Sequence, residues 1–124
     1  MPKISIIIPT YNESQHLPLL LSDLSISNEE AEIIIVDCNS EDKTREIGNL
    51  YGSKIYKSKE KNRGLQLNIG AKKATGKWFI FIHADSRLRQ GWLKKVKSII
   101  KDDENFVYFF KFKINNKIIF YRFL

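Results

Sequence analysis

Residues 4–13 read I-S-I-I-I-P-T-Y-N-E, and the change of character within this stretch decides the fold. Ile4 to Ile8 is a short apolar run rich in β-branched side chains and closed by Pro9, the pattern of a strand buried on both faces. Thr10, Tyr11, Asn12, Glu13 and Ser14 follow as a polar, turn-like stretch. Leu17, Leu19, Leu20, Leu21 and Leu24 then recur at helical spacing, which predicts a helix starting near Glu13 or Ser14 with Pro18 in its first turn.

The same strand-then-helix rhythm repeats along the chain. Glu32 to Val36 predicts a second buried strand ending on Asp37. Ser40 is a candidate cap for a helix from Glu41 to about Tyr51, stopped by Gly52. Lys54 to Lys57 is a third, weaker strand, and Gly64 to Thr75 a third helix terminated by Gly76. Trp78 to Ile82 is the most hydrophobic strand, and Trp92 to Ile100 is patterned as an amphipathic helix. Phe106 to Ile114 reads as a fifth strand. Asn115-Asn116 turns a hairpin, or else Lys117 opens another helix; the residues leave both open.

Such alternation predicts an α/β fold of Rossmann-like type: a doubly wound, mostly parallel sheet with helices on both faces, residues 1–124 forming a single domain. In such sheets ligands bind beyond the carboxyl ends of the strands. Three polar clusters fall there: Thr10, Tyr11, Asn12 and Glu13 after strand one; Asp37, Asn39 and Ser40 after strand two; His83 and Asp85 after strand four. Taken singly, each has an ordinary reading as a cap, a turn or a packing residue. Their sharing of one sheet edge favours a site.

Composition narrows the partners. Lys and Arg total 21 against 14 acids, a formal charge of +7 that suits nucleotide phosphates, anionic lipid or nucleic acid, and suits solubility equally. The lysines are dispersed and no nucleic-acid-binding motif accompanies them, so nucleic acid is not expected as a partner. The single cysteine, Cys38, excludes an intramolecular disulfide and fits a reducing compartment. No stretch reads as a signal peptide or a membrane span; a cytoplasmic protein is expected, with any membrane contact peripheral.

The chemistry of the clusters coheres. A tyrosine stacks on a base, and a buried carboxylate accepts from a base N–H or a ribose hydroxyl. Arg63, just before the third helix, can meet an anion or a base carbonyl. Asp85 is a hard oxygen ligand for Mg²⁺ or Mn²⁺. Gly64 and Gly70 form neither a Walker loop nor the dinucleotide pattern.

The segments at 4–13, 33–44 (I-I-I-V-D-C-N-S-E-D-K-T), 62–71 (N-R-G-L-Q-L-N-I-G-A) and 81–86 (F-I-H-A-D-S) resemble family-2 glycosyltransferases of GT-A-type fold, in a bacterial subgroup with H-A-D in place of D-x-D. The resemblance covers essentially the whole chain. It implies a nucleoside-diphosphate sugar donor, UDP- or GDP-linked, with Thr10, Tyr11, Asp37 and Arg63 around base and ribose. Pro9 and Glu13 fall in the same motifs, as does Asn68. Asp85 matches the aspartate that holds a divalent cation on the diphosphate, and His83 stands where the usual motif has its first aspartate. The half that supplies the acceptor site and general base has no counterpart in these residues. The alternative to a transferase is therefore a non-catalytic nucleotide-binding or interaction module. Phe120, Tyr121, Phe123 and Leu124 suggest a homodimer through the C-terminal segment.

Overall fold

The computed structural model describes residues 4–100 and the two short strand segments 112–114 and 117–119. Four strands, β1 (Ile4–Thr10), β2 (Ala31–Asp37), β3 (Lys54–Lys57) and β4 (Trp78–Phe81), form one sheet in the order β3-β2-β1-β4, every pair parallel. The strand order reverses between β1 and β4, which makes the carboxyl edge beside β1 a topological switch point.

Helices α1 (Leu17–Leu24), α2 (Thr44–Leu50) and α4 (Trp92–Ile99) cover one face, and α3 (Arg63–Lys73) the other. β1 sends Ile4, Ile6 and Ile8 to the first face, against the leucines of α1 and Trp92, Leu93 and Val96 of α4. Ile7 points the opposite way, with Ile34 and Val36, under α3. The unbroken apolar run of β1 thus serves two cores. The doubly wound α/β architecture is as the alternation predicts.

Pro9 lies inside β1 instead of closing it. Ile7 O accepts from Ile82 N on the β4 side, and Thr10 O accepts from Cys38 N on the β2 side. By alternation the missing N–H of Pro9 faces β4, whose pairing with β1 ends at Ile7, so no ladder bond is lost.

α1 begins three residues later than Ser14, with Pro18 in its first turn as expected. α2 begins at Thr44, and its N-cap position is Lys43, not Ser40. Both starts shift because the polar residues ahead of them bond across the sheet edge. Asn12 N donates to Ser40 Oγ (2.8 Å), Glu13 N to Thr44 Oγ1 (2.9 Å), Ser14 N to Asp42 Oδ2 (3.1 Å), and Glu41 N to Asn12 Oδ1 (2.9 Å).

Of the expected fifth strand, β5 (Phe112–Ile114) is described. It pairs antiparallel with β6 (Lys117–Ile119) in a separate two-stranded sheet, so of the two readings left open the strand, and not a helix from Lys117, is the one found. Residues 106–111 and the aromatic terminus invoked for a dimer lie outside the described residues. Among the described residues no helix is long and apolar enough to cross a membrane.

Candidate functional site

Beyond the carboxyl ends of β1 and β2 lies a cleft of about 380 Å³, lined by Pro9, Thr10, Tyr11, Glu13, Lys61, Arg63 and Gln66. Pro9, Thr10, Tyr11, Glu13 and Arg63, all singled out from sequence, meet here. The loop after β1, which carries Tyr11 and Glu13, and the loop after β2 turn at Asn12 and Asn39, both at positive φ (50° and 48°), a conformation asparagine tolerates better than most side chains. The bonds from loop 12–14 to Ser40, Asp42 and Thr44 then hold Tyr11 and Glu13 at the cleft.

Asp37 sits beneath the cleft, fully buried, and does not line it. Its Oδ1 accepts from Thr10 Oγ1 (2.7 Å) and from Ser40 Oγ; its Oδ2 accepts from Ser40 N (2.9 Å) and faces Arg45 Nε at 3.7 Å. A buried carboxylate needs such partners, and here they lock Thr10 and the 38–40 turn together. Asp37 thus braces the site from below.

His83 and Asp85 follow β4, in a turn closed by Ser86 N donating to His83 O (3.0 Å). They stand near the cleft's charged residues. Burial, and then the charge of Asp85, pushes the Glu13 carboxyl above its usual range, against the opposing pull of His16 and Arg63. Burial, and then Arg63, pushes the His83 imidazole down, against Asp85. His83 Nδ1 is buried without a hydrogen-bond partner. Glu13, Arg63, His83 and Asp85 therefore form one electrostatic group, with Asp85 and Arg63 exposed to solvent.

Two lining residues were missed from sequence. Gln66, 4% exposed, donates through Nε2 to Thr10 O (3.1 Å) and Val36 O (2.9 Å), closing the gap between β1 and β2 where the cleft begins. A glutamine inside an amphipathic helix carries no signal of that role. Lys61 lies in a run of exposed charges, with nothing in the sequence to separate it from Lys57 and Lys59.

A doubly wound parallel sheet with a polar, basic cleft at its switch point is the form of an α/β ligand-binding domain. Its family follows from comparison: the family model for glycosyl transferase family 2 matches residues 5–123, and the chain belongs to that family. It is 28% identical over 122 residues to poly(ribitol-phosphate) beta-N-acetylglucosaminyltransferase TarS of Staphylococcus aureus, covering 91% of this chain and 21% of that protein. It is 32% identical over 111 residues to a PGL/p-HBAD biosynthesis glycosyltransferase of Mycobacterium tuberculosis, covering 83% of this chain and 43% of the relative. The chain thus spans less than half the length of either relative. The solved structure of S. aureus TarS residues 1–349 in complex with UDP superimposes with a TM-score of 0.69 at 28% identity, over 77% of this chain and 31% of that one. Glucosyl-3-phosphoglycerate synthase from M. tuberculosis, solved with Mn²⁺, UDP and glucosyl-3-phosphoglycerate, shares the fold at 18% identity (TM-score 0.62; 69% and 36% covered).

Proposed function

We propose that the cleft binds the nucleoside diphosphate of a sugar-nucleotide donor, UDP- or GDP-linked, and that the chain is the donor-binding part of a glycosyltransferase. The observation that carries this reading is the meeting of Pro9, Thr10, Tyr11, Glu13 and Arg63 around one cleft at the switch point. Tyr11, 38% exposed, offers a ring face for a base. Arg63, in the first turn of α3, meets the phosphates together with that turn's backbone N–H groups. The UDP complex of TarS supports the choice of ligand.

Among the described residues no three His, Cys, Asp or Glu side chains group into a metal site. That suits Mg²⁺ or Mn²⁺, which bind through one or two carboxylates and complete their shell with substrate phosphates. Asp85 is the residue that would hold the cation, with Glu13 close enough to feel its charge. The cation would supply charge neutralisation at the diphosphate. The chain's own part is to seat the base on Tyr11, orient the diphosphate against Arg63, and hold the loops through Asp37, Asp42 and Ser40. In transfer, an acceptor hydroxyl attacks the anomeric carbon as its bond to the diphosphate breaks, the hydroxyl proton passes to a general base, and Arg63 stabilises the departing charge.

Calorimetry with UDP tests the reading. Tyr11→Ala is expected to weaken binding by about 1–3 kcal/mol, the scale of base stacking on an aromatic ring. EDTA is expected to weaken UDP binding and leave uridine binding unchanged, and Asp85→Ala to abolish that difference. Unchanged UDP affinity in Tyr11→Ala would reject the site.

A further inference from the structure

The Lys61 ammonium stands over a face of the Tyr11 ring, 4.1 Å from its centroid, and both residues line the cleft. The backbone around it is braced: Ser58 Oγ and Asn62 N both donate to Glu60 O (2.8 and 2.9 Å), and Asn62 Oδ1 accepts from Leu65 N (3.0 Å) at the start of α3. The side chain is exposed, and the ring contact is the one interaction of its ammonium among the described residues. It lines the same cleft as Arg63, two positions further on.

We propose that Lys61 is a further ligand-binding residue that exchanges partners, giving up the Tyr11 ring to the incoming base and pairing with the ligand's diphosphate. The proposal rests on the reading of the cleft as a nucleoside-diphosphate site and names how that site selects phosphorylated ligands. Two features make the exchange favourable. Stacking of a base on an aromatic ring is stronger than an exposed contact between an ammonium and that ring. A lysine on a flexible four-carbon stem, with no carboxylate within ion-pair distance among the described residues, can meet the phosphates once displaced. Lys61 therefore opposes a bare nucleoside, which must displace it without return, and assists a nucleoside diphosphate, which gives the displaced charge a partner.

The test is calorimetric titration of the full chain with uridine and with UDP, for the native sequence, Lys61→Ala, Lys61→Gln and Lys61→Arg. Lys61→Ala and Lys61→Gln are expected to weaken UDP roughly tenfold, the scale of one charge-assisted bond, while uridine binds as well as before or up to about threefold tighter. Lys61→Arg is expected to keep most of the UDP affinity. Weakening of uridine and UDP by one common factor, or no change in either, would overturn the exchange while leaving the nucleotide site standing. Absence of UDP binding by the native chain would overturn that site and the exchange together.

Discussion

Ser40 shows how a residue's type can be legible and its task not. A serine ahead of a helical pattern is a standard N-cap signal, yet here its hydroxyl donates to Asp37, while that oxygen and its N–H link Asn12 to the same carboxylate. The bond from Asn12 spans 28 positions of sequence between loops, and spacing along one loop carries no information about the other. Glu32 is a second case, read from sequence only as the opening of a strand. Its carboxylate accepts from Ser5 Oγ (2.6 Å), Lys54 Nζ (2.7 Å) and Thr75 N (2.6 Å) at the edge of the sheet opposite the cleft. Burial pushes this carboxyl up, but the hydrogen bonds from Lys54, Ser5 and Thr75 outweigh it and hold the pKa at about 2, against an ordinary 4.5. A lowered pKa means stability that is full above the ordinary value and is lost as the pH falls from there through about 2. Glu32→Gln is expected to cost about 1.5–3 kcal/mol at pH 7. In urea denaturation at a series of pH values, the gap between native and variant should close toward pH 2; a constant gap would contradict the network.

At the scale of elements, strand and helix order was readable because hydrophobic period and β-branched runs report burial directly. The continuation of β1 through Pro9 and the later starts of α1 and α2 were not, because each depends on partners distant in sequence; the local pairing of β5 with β6 is one of the two readings the residues left open. α3 is held to the sheet by the absence of a side chain: a Cβ at Gly70 would lie 2.4 Å from Ile7 Cγ2. Gly70→Ala is therefore expected to destabilise by about 1–3 kcal/mol, whereas Gly64→Ala, whose nearest contact would be 3.4 Å, should be neutral or slightly stabilising. Thermal melts of the two variants check this, and equal effects would show that α3 does not need the close approach. Gln66→Leu should also lower stability, by about 1–3 kcal/mol, since it leaves Thr10 O and Val36 O without their donor.

For the whole molecule, the strand–helix alternation located the sheet edge, and residue chemistry with the family resemblance picked out five residues of the cleft, while Lys61 and Gln66 needed the fold. Phe79 and Phe81 on β4 stay 41% and 49% exposed, in edge-to-face contact at 6.3 Å. They alternate with Ile80, which packs into the α1–α4 core, so they lie on the side of the sheet where α3 packs over β1 and β2. The relatives are two to five times longer than this chain. The 124 residues are accordingly expected to bind donor and transfer no sugar; an acceptor-labelling assay showing turnover would contradict this. The cleft beyond the carboxyl ends of β1 and β2 is expected to receive a nucleoside diphosphate, and the decisive measurement is a titration of UDP into the ¹⁵N-labelled chain followed by amide shifts. Saturating shifts at Tyr11, Glu13, Lys61 and Arg63 and at the Gln66 side-chain amide, with Lys54 and Thr75 unmoved, are expected. Saturating shifts confined to residues away from that cleft, or none at all, would contradict it.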